Sequence, residues 1–294
     1  GRIDHSLLPW KISGLRGVAS FEQDQLRLED VSWSAGETTF IADAVISPGG
    51  GIQLKFDGER LVLDEPLKTR LPWSLVKAVD EIGLTGVLRG GGIVQLPPGG
   101  TWQYRLNGEL QDGSLAASRF PLPIRSVVGT ATLTSPDERS PVPMAVFEGN
   151  GLAGSSPVRF EGWARNPGPE SEAFFNITAE NYASDRAFLL ACPPVLRRVL
   201  EDLRFQGRGH ARVQLHRLPG LGQKFFPHAT VTLVDATIDP SCFHYRLDHL
   251  QGEVTWDGHK VDGVNLTAEH GGTRLTGFGS YQPDRRPAEL ELSV

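Results

Sequence analysis

His244 and His249, with Asp235, Asp239 and Asp248 nearby in the chain, are residues whose types could hold a metal ion. Five residues apart in a strand, however, the two histidines point to opposite faces, whereas coordination needs side chains that converge. His210 and His216 are six apart and share a strand face, but at strand rise they lie ~20 Å from each other, too far to bind one ion. The paired carboxylates Asp80-Glu81 and Glu201-Asp202 could do acid–base work, yet they occupy equivalent places in two copies of one helical segment, as the wet side of an amphipathic helix does. Arg89-Gly90-Gly91-Gly92-Ile93 has the glycines of a phosphate cradle without the Gly-Lys-Ser/Thr ending or a following helix, so it reads as a turn. No Gly-x-Ser-x-Gly elbow presents a nucleophile. The expectation is a protein with no catalytic residue, no metal and no cofactor.

Composition narrows the class further. A formal charge of −6 and a pI near 5.8 argue against a nucleic-acid partner, and Arg197-Arg198 and Arg285-Arg286 are too short to reverse that. Cys192 and Cys242 sit in unlike contexts, one before a helix and one in a strand-like run, so a disulfide framework is not indicated. Thirty-four glycines, twenty-one prolines and a single methionine suit short strands and turns better than a helical bundle. No run approaches the ~20 apolar residues of a membrane span, and no leader pattern opens the chain. Asn176-Ile-Thr178 and Asn265-Leu-Thr267 match the glycosylation pattern but fall inside strand-like runs.

The elements that would position any site are repeated. Leu71-Pro72-Trp73 through Gly86 returns as Cys192-Pro193-Pro194 through Gly207, with the two leading prolines and the two final glycines both 121 residues apart. Proline in the first turn, apolar residues at helical spacing and a glycine exit predict helices near 72–84 and 193–204. Asp64 and Asp185, also 121 apart, read as caps just before them. Gly17, Gly129 and Gly252 mark three turns, each followed by a strand-like run. Leu28, Val31, Trp33 and Ala35 match Val261, Val264, Leu266 and Ala268 at an offset of 233, and Phe40-x-Ala42-x-Ala44 matches Leu275-x-Gly277-x-Gly279. Gly49–Gly51, Gly90–Gly92 and Pro97–Gly100 read as surface turns, and 136–143 and 166–172 as longer loops.

The unit is thus six or seven strands and one helix, presented about two and a half times. The fold class expected is mostly β, an elongated curved antiparallel β-groove. Residues 1–294 read as one continuous repeat array, a segment of a longer protein, with units at about 1–86, 87–207 and 208–294. The alternation in these strands assembles a dry face from Trp33, Phe40, Val231, Leu233, Val254, Trp256, Val264, Leu266 and Leu275. Either that face is closed core, or it is an open groove that holds acyl chains. One short helix per long unit is little cover for so much sheet, which favours the groove. The helices' apolar sides (Leu75, Val79, Ile82; Leu196, Leu200, Leu203) would then cap it.

The order of a Leu-Pro or Cys-Pro-Pro helix, the phrase Phe120-Pro-Leu-Pro-Ile-Arg-Ser-Val-Val-Gly129, and alternating strands ending in Leu275-x-Gly277-x-Gly279 resembles the AsmA-like envelope proteins, including the YhdP and TamB groups. The likeness runs along nearly the whole chain in loose patterns. It implies a long groove with an apolar interior, anchored in the bacterial inner membrane by a segment outside this chain. Such a groove would span the periplasm and carry phospholipid to the outer membrane, binding acyl chains without catalysis. The alternative is a structural or adhesive extracellular β-repeat with a closed core.

Overall fold

The computed structural model describes residues 2–3, 12–35, 37–63, 80, 82–117, 120–137, 140–168, 170–240, 245–282 and 285–293. The chain is mostly β, about 70% strand, in an antiparallel sheet that is not closed into a barrel, as a groove requires. After β1 (Arg2–Ile3), the first run is β2 (Ile12–Glu22), β3 (Gln25–Ala35), β4 (Thr38–Ser47), β5 (Gly51–Val62), β6 (Thr85–Leu96) and β7 (Gln103–Ala117). The second is β8 (Phe120–Thr134), β9 (Met144–Ala153), β10 (Ser156–Arg165), β11 (Glu172–Ala183), α1 (Arg186–Ala191), α2 (Pro194–Asp202), β12 (Gln206–Arg217) and β13 (Phe226–Ile238). A third begins with β14 (Leu247–Trp256), β15 (Val261–His270), β16 (Thr273–Gln282) and β17 (Arg285–Ser293). Strands consecutive in the chain pair with one another, as short connections dictate. The repeat is therefore six strands with a helical insertion before the fifth. Both β5 and β11, and both β6 and β12, begin and end 121 residues apart.

The helical insertion obeys its local signals. Asp185 caps α1, its carboxylate accepting the Phe188 N–H at 2.8 Å. Pro194 starts α2, where a missing N–H does no harm. Arg197 ties the two helices together, donating to the carbonyls of Leu189 (2.9 Å), Cys192 (3.2 Å) and Leu190. Leu196, Leu200 and Leu203 are half-buried while Glu201 and Asp202 face water, so the two acids are the solvated side of α2. Of the predicted 72–84 helix, Asp80 and Ile82 are helical; Leu71–Val79, with Leu75 and Val79, lie outside the described residues.

The helix exits differ from the expected glycines. Both copies leave the helix through a left-handed residue three positions earlier: Gly83 (φ 58°), whose N–H donates to the Asp80 carbonyl, and Arg204 (φ 46°), whose N–H donates to the Glu201 carbonyl. Gly86 and Gly207 have another task. Their carbonyls accept from Leu63 and Ser184, pulling the strand start against the end of the preceding strand. A Cβ on Gly207 would stand 2.4 Å from that of Ala236, so glycine there is a packing requirement. The Gly90–Gly92 run is not a turn either, but the middle of β6. A Cβ on Gly92 would meet the Arg105 carbonyl at 2.3 Å, and the neighbouring strand comes this close because no side chain intervenes.

Bulges set the repeat's true phase. Asp30 in β3 and Asn265 in β15 are left-handed (φ 50° and 52°), as are Gly14 in β2 and His249 in β14 (66° and 52°), and Arg60 in β5 and Asn181 in β11 (59° and 48°). The first two pairs are 235 residues apart, the same offset as Phe40 to Leu275. Val31 therefore corresponds to Leu266, and Trp33 to Ala268, correcting the 233 offset by two. Each such residue is an extra one in its strand, which bends and twists the strand there. The Arg60 and Asn181 bulges are held alike: Thr38 Oγ1 donates to the Arg60 carbonyl (3.2 Å) and Ser156 Oγ to the Asn181 carbonyl (3.4 Å).

The chain forms two compact units, one of Gly1–Leu115, Ser126–Gly149 and Trp163–Glu172, the other of Ala116–Arg125, Asn150–Gly162 and Ala173–Val294. In the second unit Leu233, Ala236, Leu247, Leu250, Ala268 and Leu275 form a closed cluster. Phe205, immediately after the helix exit, packs against it.

Candidate functional site

Cross-strand register assembles one face of β3–β7 in rows. Leu26, Ile46, Ile52 and Leu96 stand side by side, followed by Leu28, Ala44, Leu54, Val94 and Tyr104. Val31, Ala42, Phe56, Gly92 and Leu106 form the third row, and Trp33, Phe40, Gly58, Gly90 and Gly108 the fourth; Leu61, Leu88 and Leu110 close the array beyond the bulges. No residue of these rows is charged. The same strands carry Arg27, Asp43, Lys55, Asp57, Glu59 and Arg105 on the other face. Trp33 and Phe40 stack at 5.2 Å between ring centroids, 15° from parallel. Among the apolar side chains of these rows, those of Ala42 and Leu110 are buried, while the rest are half-buried or, at Ile46, exposed. Neighbours on the sheet shield their flanks, and their outer ends are left open.

In the second unit the equivalent face runs Ile177, Val213, Ala229, Trp256 and Val261, then Ala179, Ala211, Val231, Val254, Gly263 and Gly279. Leu233 lies opposite Gly209 and Gly252, and past the bulges Ala268 lies opposite Leu275. Cover varies along this face. Leu233 and Leu275, 6% and 4% exposed, belong to the closed cluster, with Val231, Val254 and Leu266 packed against its edge. Trp256, at the opposite end of β14, is half-buried.

Eight of the nine residues read as a dry face thus occupy apolar faces, Trp33 and Phe40 in the first unit and Val231, Leu233, Val254, Trp256, Leu266 and Leu275 in the second. Val264 does not. It pairs with Glu253 on the wet side and is 41% exposed. The Asn265 bulge inserts one residue between Val264 and Leu266, so alternation counted across it assigns the wrong side. Sequence reading also passed over Leu54, Phe56, Val94 and Leu106 as members of the face. Leu54-x-Phe56 and Tyr104-x-Leu106 carry the alternation, whereas the glycines of β6 mask it around Val94.

Of the polar groups considered as metal ligands around β14, those among the described residues have other partners. His249 Nδ1 lies 3.2 Å from Asp235, Asp239 bonds Arg204 at 2.9 Å, and Asp248 bonds Arg246 at 2.8 Å, which holds the Asp248 carboxyl below its ordinary range. His244 and Cys242 lie outside the described residues. No group of three or more potential ligands converges among the described residues. Asn176 is half-buried on the wet side of β11, its amide donating to Glu161 at 2.9 Å.

Between the two helices, burial pushes the Cys192 thiol from 9.0 up to about 11, against the pull of Arg197, and near the end of β11 it pushes the Tyr182 hydroxyl from 10.0 up to about 12. Both groups lose their proton more readily when unfolded, so unfolding releases protons and stability falls with rising pH. For Cys192 the fall begins near pH 9 and runs to about 11. Urea midpoints measured across that window should drop, and more shallowly in Cys192→Ala.

No family model, curated protein or solved structure matches the chain.

Proposed function

We propose that this chain is a non-catalytic groove segment of an AsmA-like envelope protein, taking phospholipid acyl chains on its apolar face and passing them between the inner and outer membranes. The observation that carries this reading is the uncharged array on β3–β7, whose side chains remain half-buried where a closed core would seal them. Apolar burial at ~25 cal/mol per Å² is non-directional, so the face would accept many lipids. Localisation in the periplasm and anchoring in the inner membrane by a segment outside this chain belong to the same proposal. No described helix is long and apolar enough to cross a membrane.

The closed cluster around Leu233 favours a second reading, a structural β-repeat whose face is core. Native mass spectrometry after mild extraction separates the two. Co-purifying phospholipid is the expected result; a clean unliganded mass, from protein never exposed to denaturant, would leave the structural reading in possession.

A further inference from the structure

The β12–β13 hairpin departs from the rest of the chain in both charge and exposure. Between Asp202 and Asp235 there is no carboxylate, in a chain that holds 35 of them. The same stretch carries Arg204, Arg208, Arg212, Arg217 and Lys224. Arg208 faces Asp235 across the sheet, but neither Arg212 nor Lys224 is held in an ion pair among the described residues. At the tip, where β12 turns into β13, Leu218, Leu221 and Phe226 are 46%, 72% and 56% exposed. Phe225 beside them is tucked in, edge-on to Phe175 at 5.5 Å with the Arg217 guanidinium over its ring. The inner ring thus braces the hairpin while the neighbouring apolar side chains point away from it.

We infer that this hairpin tip is a membrane-surface contact, inserting Leu218, Leu221 and Phe226 into the interface of an anionic bilayer while Lys224 meets the headgroups. Charge decides the partner. A cationic, acid-free hairpin on an acidic protein is attracted locally to an anionic surface that repels the remainder, which fixes orientation as well as contact. The exposed leucines Leu218 and Leu221, which give a base nothing to stack on, favour a bilayer over a nucleic acid. Because Lys224 sits in the same turn as Leu218 and Leu221, just before Phe226, both contributions act at once, as stable interfacial binding requires. The inference stands apart from the apolar rows of β3–β7 and needs no lipid bound there.

Co-sedimentation of the chain with vesicles of phosphatidylglycerol and phosphatidylcholine in equal parts tests it. Binding is expected to the mixed vesicles, to fall with added salt, and to be weaker on pure phosphatidylcholine. Leu221→Asp, at a side chain too exposed to support the fold, should weaken vesicle binding by at least about tenfold, and Lys224→Glu by a smaller, salt-sensitive factor. Phospholipid co-purifying with Leu221→Asp should stay at the wild-type level, so a failed groove and a failed surface contact are told apart. Undiminished vesicle binding by Leu221→Asp, or binding of a single-stranded oligonucleotide in preference to vesicles, overturns the inference.

Discussion

Replacing Leu54 by aspartate is expected to strip co-purifying phospholipid from the protein while the β circular-dichroism spectrum persists. Leu54 sits mid-row between Ala44 and Val94, on a face with no charged side chain, and neither of these direct neighbours has a side-chain donor to pair a carboxylate. A charge there would have to be desolvated each time an acyl chain lay over it, at several kcal/mol. The fold itself loses less, about 1–3 kcal/mol, because Leu54 is half-buried and the new carboxylate can still reach water when no lipid covers it. Ile41→Asp is the matched control. It lies on the wet side of β4 beside Ser32 and Asp57 and is 53% exposed, so phospholipid content should stay near wild type, while repulsion from Asp57 across the strand pair lowers stability by only about 0.2–1 kcal/mol. Lipid counted by mass spectrometry per mole of protein reads the result. Equal retention by both variants would mean that the rows of β3–β7 do not hold lipid.

Leu233→Asp should instead abolish folding. Its side chain lies in the closed cluster with Ala236, Leu250 and Leu275, and an unpaired carboxylate there costs about 4 kcal/mol or more, much of the 5–15 kcal/mol that stabilises a typical domain. Val264→Lys offers the contrast. Strict alternation would place Val264 beside Leu266 on the dry side, where a lysine would be equally damaging. The bulge places it opposite Glu253, where a lysine is neutral or contributes about 0.2–1 kcal/mol across the strand pair. Urea unfolding of the two variants decides between the two placements. A Val264→Lys variant as crippled as Leu233→Asp would mean that the Asn265 bulge is not where it is drawn.

What could be read from the residues alone follows the range of the forces involved. The Asp185 cap, the Pro194 start and the 121-residue period were legible because proline, capping acids and helical spacing act within a turn or two of chain. Strand identity was legible wherever polar and apolar residues alternate, as at Val231-x-Leu233. The bulges were not: Asp30, Arg60 and Asn265 adopt left-handed conformations, and although Asp and Asn tolerate that region best, most of them do not enter it, and each bulge inverts the parity of everything beyond it. Gly90–Gly92 misled for a related reason: glycine marks a turn when nothing else is near, and close strand approach when a neighbour is, and the neighbour is distant in sequence. Whether a dry face is sealed or open depends on what lies over it. That separates Leu233 from Leu54 although both are leucines in alternating strands.

The hydroxyls that hold the Arg60 and Asn181 bulges, Thr38 and Ser156, begin equivalent strands in successive repeats. The fold line they secure consists of one surplus residue per strand and is carried inside the copied unit, so duplication transmits it without any new contact having to be invented. Lengths elsewhere vary from copy to copy, as the unequal spacings of Gly17, Gly129 and Gly252 show; these glycines lie inside β2, β8 and β14 and not at the turns first read there, while the bulge keeps its place.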